Sequence, residues 1–260
     1  MKIKNLALGL ALAGAAVAAT PGSADAHKPT IVLVHGAFAD SSSWNGVIEI
    51  LQKDGYRVIA AANPLRSVKG DAQSVTSVLK SIEHPVVLVG HSYGGPVIST
   101  AAYGQANVKA LVYVAAFAPD VGETAVGLTG KFPGATLAPT LDAPVALEGG
   151  DKDLYIQQDQ FPQQFAADVP EAQARLMAAT QRPVTEGALN EAATVAAWKT
   201  TPSWWIYGDK DKNIPPRAMQ FMAERAHAKQ TVVVEGASHV VMISNPEPVA
   251  RIIEAAATAQ

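Results

Sequence analysis

The chain has 260 residues, 48% of them apolar and 17% charged, which allows one large α/β domain or two small ones and argues against disorder. A formal net charge of -3 leaves no electrostatic footprint for nucleic acid or an anionic membrane surface, so the expected partner is a small molecule. Cysteine is absent, which excludes a disulfide framework and a lipid-modified cysteine.

Residues 1–26 read as a signal peptide. Lys2 and Lys4 precede an uncharged apolar stretch over 6–19, and Ala24-Asp25-Ala26 is a small-x-small cleavage site. The stretch is short and rich in alanine and glycine, which favours removal over a retained anchor and predicts no stable membrane insertion. Cleavage after Ala26 makes His27 the new amino terminus and implies export, to a periplasm or beyond.

The remainder divides into a first core part over 27–119, an insertion over 120–200 and a second core part over 201–260. A buried strand over 30–34 turns through His35-Gly36-Ala37-Phe38 towards Ser41, Ser42 and Ser43, N-cap candidates for a helix over 44–53 that Gly55 closes. A strand over 56–61 breaks at Asn63-Pro64, a helix covers 67–82, and Val86-Val87-Leu88-Val89 forms the third strand. A small-residue helix then runs towards Gly104, and 108–117 is a nearly uninterrupted apolar strand. This alternation predicts an α/β fold: a mostly parallel, doubly wound sheet with ligand chemistry at the carboxyl ends of its strands.

Between 120 and 200 the rhythm lapses. Glycine and proline recur from Gly122 to Gly149-Gly150, and two helical patterns, over 162–167 and 171–180, carry little strand character. A long irregular insertion of this kind reads as a lid over the substrate. Strand rhythm resumes over 203–207, followed by a helix over 215–227, a strand over 231–234 and a final helix over 246–257.

The chemistry centres on Gly90-His91-Ser92-Tyr93-Gly94. Such a motif alone is weak evidence in a chain with 20 glycines, but here a buried strand leads into it and a small-residue helix leaves it, the context of a strained elbow that exposes a serine hydroxyl. Ser92 is the candidate nucleophile, and it needs a base plus a carboxylate to orient that base. His239 follows one predicted strand and Asp211 follows the strand before it, giving the order Ser, acid, His. Asp211 fits Gly-x-x-Asp with an apolar residue and proline behind it, while Asp209 competes for the same role. The backbone N–H groups of Ala37 and Tyr93 are the expected oxyanion hole. His84, His227 and His27 do not lie at carboxyl strand ends, and His91 reads as packing beside the elbow. None of these histidines has metal-ligand spacing, so no metal is expected.

Together, Ile31-Val32-Leu33-Val34-His35-Gly36-Ala37-Phe38, Gly90-His91-Ser92-Tyr93-Gly94-Gly95, Gly208-Asp209-Lys210-Asp211 and Gly236-Ala237-Ser238-His239 resemble the α/β-hydrolase superfamily over 29–257. Within it the chain is similar to the branch of bacterial carboxylesterases, plant methyl esterases and hydroxynitrile lyases. The resemblance implies a cofactor-free Ser, His, Asp triad acting on a small-molecule ester. The lyases of that branch carry threonine after the histidine of the first motif and lysine after the catalytic histidine, where this chain has Gly36 and Val240. Dehalogenases of the fold carry aspartate at the elbow, and cofactor-free perhydrolases often have His-Gly-Trp-Pro in the first loop; neither pattern occurs here. Some members of the fold serve as receptors, so a ligand-binding protein is the non-catalytic alternative. Phe38, Phe132 and Phe161 are expected to bind substrate, and Tyr93, Leu128 and Phe165 could extend an apolar pocket suited to a neutral ester.

Overall fold

The computed structural model describes residues 28–259, so the signal peptide reading and His27 lie outside the described residues. The first half of the chain runs β1 (Thr30–Val34), α1 (Asn45–Lys53), β2 (Val58–Ala61), α2 (Val68–Lys80), β3 (Val86–His91), α3 (Gly94–Ala101) and β4 (Val108–Val114). Then come α4 (Ala125–Gly130), β5 (Val145–Ala146), β6 (Lys152–Leu154), α5 (Phe161–Phe165), α6 (Glu171–Thr180), β7 (Val184–Thr185) and α7 (Glu186–Asn190). The chain closes with β8 (Ser203–Gly208), α8 (Pro216–Arg225), β9 (Gln230–Val234), α9 (Val241–Ser244) and α10 (Pro246–Thr258). No described helix is long and apolar enough to cross a membrane.

Six strands form one sheet in the order β2-β1-β3-β4-β8-β9, with every neighbouring pair parallel. The four central strands are buried along almost their whole length, as expected where helices cover both faces; β1, β3 and β4 are rich in Val, Ile and Leu and β8 is rich in aromatic residues. Helices α1 and α10 pack against each other, α2 packs on α3, and α10 crosses β3, β4 and β8. The chain leaves β1 in one direction along the sheet and β3 in the other. The crevice outside the ends of β1 and β3 is therefore the switch point where such sheets bind ligands.

Several boundaries differ from the sequence expectation for local physical reasons. The helix expected over 44–53 opens with a 3-10 turn at Ser41–Trp44, and its cap is Asp40, whose carboxylate accepts the Ser42 N–H, in place of a serine. The strand over 108–117 stops at Val114 because Ala115 takes φ 42, which ends the extended run. Ser67 caps α2 and is not its first residue. The insertion does contain strands: β5, β6 and β7 form a small antiparallel sheet, too short for an alternation to register in sequence.

The insertion is tied at its root. Gly122 N–H donates to Ala193 O at 2.8 Å and Ala193 N–H to Glu123 O at 2.9 Å. The Glu123 carboxylate meets Arg225 of α8 at 2.7 Å and Lys131 at 2.6 Å. Burial pushes this carboxyl up, but the hydrogen bonds from Arg225, the Asp120 N–H and Lys131 outweigh it and hold the pKa down to about 2.

Candidate active site

Ser92 follows β3 directly and has φ 53, a left-handed conformation that is strained for a residue with a side chain. Its neighbours hold it there: Gly95 N–H and Phe117 N–H both donate to Ser92 O, at 2.9 and 3.2 Å. The turn closes tightly because Gly90 has no side chain; a Cβ there would lie 2.7 Å from Gly94 O. Gly36, in the turn after β1, faces the elbow so closely that a Cβ would lie 2.6 Å from Ser92 Cβ and 2.7 Å from His91 O.

The Ser92 hydroxyl lies 2.9 Å from His239 Nε2, and His239 Nδ1 lies 2.7 Å from Asp211 Oδ2. The partners assign the tautomer: Nδ1–H donates to the carboxylate, which leaves Nε2 to accept from the hydroxyl. Asp211 Oδ1 accepts the N–H groups of Asn213 and Ile214, at 2.8 and 3.0 Å, so the carboxylate is fixed at both oxygens. Exposure is 6% for Ser92, 1% for His239 and 4% for Asp211. Asp209, the competing carboxylate, points elsewhere, accepting the Gly236 N–H at 2.6 Å and pairing with Lys210 at 3.2 Å.

The N–H groups of Ala37 and Tyr93 donate to no other described residue, and both residues border the cavity that holds Ser92 and His239. Each stands on a braced turn. His35 Nδ1–H donates to Gly36 O at 3.0 Å, while His35 Nε2 accepts the Asn63 N–H at 3.0 Å and Asn63 Nδ2 donates to His35 O at 2.9 Å. Burial lowers the His35 pKa, so the ring is a neutral strut from the end of β1 to the end of β2. On the other side, the buried Tyr93 hydroxyl donates to Asp71 Oδ2 of α2 at 2.8 Å. Burial raises the pKa of both groups, which keeps the phenol protonated. Sequence reasoning missed both braces, whose partners lie 28 and 22 residues away.

His91 is fully buried, and its Nε2–H donates to His239 O at 3.1 Å. Burial, with His239 as neighbour, holds its pKa well below the ordinary value. It therefore anchors the backbone of His239 as a neutral ring, in keeping with the packing role read from sequence.

The cavity has a volume of about 520 Å³, in the range of small-molecule sites. Beyond the serine and histidine its walls are largely apolar, with Phe38, Phe117, Leu137, Leu141, Phe165 and Ile214 among them. Among the described residues, no lysine or arginine lines it, and Glu186 is the one carboxylate on its border. Of the three phenylalanines expected from sequence to bind substrate, Phe38 borders this cavity. Phe132 and Phe161 do not: Phe161 is fully buried against Phe165, ring centroids 4.8 Å apart, and Phe132 packs on Phe221 at 5.6 Å. Phe161 thus packs within the insertion, and Phe132 packs the insertion onto α8.

A sequence profile described as the alpha/beta hydrolase family matches residues 31–252. The chain is 28% identical over 250 residues, 88% of it and 97% of the relative, to the alpha/beta hydrolase nvfD of Aspergillus novofumigatus. It is 24% identical over 252 residues to an alpha-hydroxynitrile lyase of Arabidopsis thaliana, covering 89% of this chain and 98% of that one. Among solved structures it superposes on polyneuridine aldehyde esterase with a TM-score of 0.76 at 18% identity, over 88% of this chain and 98% of that one. With the profile spanning most of its length, the chain belongs to the alpha/beta hydrolase family.

Proposed function

We propose that this protein is a serine carboxylic ester hydrolase acting on a small, uncharged, largely apolar ester. The observation that carries the reading is the unbroken chain of hydrogen bonds from Asp211 through His239 to Ser92, opening on an apolar cavity. In this mechanism Ser92 Oγ attacks the ester carbonyl carbon while its proton passes to His239 Nε2. The resulting oxyanion receives the N–H groups of Ala37 and Tyr93. Asp211 stabilises the imidazolium, which returns the proton to the departing alcohol. A water activated by the same nitrogen then cleaves the acyl-enzyme, releasing the acid and restoring Ser92. The absence of lysine and arginine among the described residues of the cavity wall, and Glu186 on its border, support an uncharged substrate over an anionic one.

Cyanohydrin cleavage on the same triad is the runner-up, because a lyase lies among the relatives. Two positions favour hydrolysis. The threonine of such lyases has no room at Gly36, where even a Cβ meets Ser92 and His91 at 2.6 to 2.7 Å. The lysine position is Val240, which is 0% exposed and too buried to present an ammonium group. A perhydrolase or a non-catalytic carrier has no observation in its favour here. The test is turnover of p-nitrophenyl acetate and butyrate. We expect hydrolysis by the wild-type chain that Ser92→Ala abolishes, and a complete lack of ester turnover by the wild type would overturn the reading. Removal of residues 1–26 on export belongs to the same proposal: the exported protein should have a mass starting at His27, and a mass starting at Met1 would refute it.

A further inference from the structure

His239 sits in the loop between β9 and α9, and its side chain must hold a fixed distance from Ser92 on a different strand end. The residue directly before it, Ser238, is buried, and its hydroxyl donates to Asp168 Oδ1. Asp168 belongs to the insertion, in the turn between α5 and α6. Its second oxygen, Oδ2, faces the Asn245 side-chain amide at 3.4 Å, where α9 passes into α10. One carboxylate thus reaches both ends of the segment 238–245 that carries the base. Phe165, from the same part of the insertion, sets its ring at 5.1 Å and 63° to the imidazole, while His91 holds the His239 carbonyl from the elbow side.

Resting on the hydrolase reading, we infer that Asp168 is a positioning residue for His239: through Ser238 and Asn245 it makes the insertion part of the mount of the catalytic base. Asp168 has no contact with the reacting atoms, so its effect belongs in the alignment of the imidazole. Misplacing a catalytic group by about 1 Å costs on the order of 100-fold in rate, and losing one of several anchors should cost less. A carboxylate suits the position because it accepts from two donors at once.

The test compares Asp168→Ala, Ser238→Ala, their double variant and Asp168→Asn, using p-nitrophenyl acetate. We expect Asp168→Ala and Ser238→Ala each to lower kcat about tenfold, with KM within about twofold. The double variant should be no slower than the worse single one, because the Ser238–Asp168 hydrogen bond is already lost in either single variant. Asp168→Asn, which keeps an acceptor, should recover most of the loss. A second readout does not depend on turnover: the downfield proton resonance of His239 Nδ1–H should be present in the wild type and shifted or broadened in Asp168→Ala and Ser238→Ala. Unchanged kcat and an unchanged resonance would overturn the inference, as would losses that multiply in the double variant or fall on KM alone. If Asp168→Ala fails to fold, Ser238→Ala, which removes one buried hydroxyl, decides the matter by the same two readouts. Lack of ester turnover by the wild type would instead sink the hydrolase reading, leaving the resonance to judge the positioning role.

Discussion

The floor and the roof of the cavity are built by opposite means. The floor, made of the turns after β1 and β3, is fixed by backbone: glycines in contact, a serine forced to φ 53 and N–H groups aimed by the ends of buried strands. The roof is fixed by side chains that reach across the sequence. Gln164 of α5 donates to Asn213 Oδ1 and to Lys212 O, each at 3.1 Å, Asn213 Nδ2 donates back to Gln164 O at 3.2 Å, and Asp168 holds Ser238. On the far side Arg66 joins Asp153 at 2.6 Å and Pro183 O at 2.8 Å, and Glu191 caps the start of α2. A floor of this kind tolerates almost no added atom, whereas a roof of this kind divides its work among many replaceable pairs. Much of the insertion is therefore a fixed wall.

Substitutions test that contrast. The largest effect is expected in the floor: Ser92→Ala or His239→Ala should lower kcat for p-nitrophenyl acetate by on the order of 10⁴-fold or more, and residual activity within 100-fold of wild type would mean that another group supplies the nucleophile or base. Asp211→Asn should cost on the order of 10⁴-fold through the wrong histidine tautomer, while Asp209→Asn should stay within about twofold; the reverse ranking would reassign the acid. One methyl group at Gly36 should also be felt. Gly36→Ala must displace the Ala37 turn from Ser92, and loss of one oxyanion donor corresponds to on the order of 100-fold in kcat.

Smaller effects test the supports. Tyr93→Phe removes the hydroxyl that meets buried Asp71 and should cost about 1–3 kcal/mol of stability, read as a fall of about 2–4 °C in Tm per kcal/mol. An unchanged Tm would show that the backbone N–H groups at Asp71, the Arg66 N–H at 3.2 Å from Oδ1 among them, satisfy the carboxyl without the phenol. The smallest effect should come from Glu123 at the root of the insertion. Its folded pKa of about 2 lies below its ordinary value of 4.5, so its contribution is full above pH 4.5 and is lost as pH falls towards 2. At neutral pH Glu123→Gln should cost on the order of 1–2 kcal/mol, given its partial exposure, and the wild-type and variant stabilities should converge near pH 2. A gap that persists there would assign the effect to packing.

What was legible in sequence follows the same division. Buried strands of Val, Ile and Leu, the glycines at the elbow and the order of Ser92, Asp211 and His239 are local signals, because strand burial and tight turns are set by neighbouring residues. The sheet and the placement of these residues at one edge followed from them. Less legible were the short strands β5 to β7, where two or three residues give no period, and the fates of Phe132 and Phe161, since an aromatic side chain carries no mark of which surface it will cover.

By itself, then, the sequence determined the α/β sheet, its doubly wound course and the residues gathered above the β1 and β3 ends, because parallel strands and glycine turns are encoded within a few residues of one another. Only the tertiary structure decided which aromatics border the cavity, that His35 and Asp71 brace the two oxyanion candidates, and that Asp168 reaches the loop of His239. These depend on pairings between residues 22 to 77 positions apart, and at such distances the partner is chosen by the packing of whole elements, which no local pattern records.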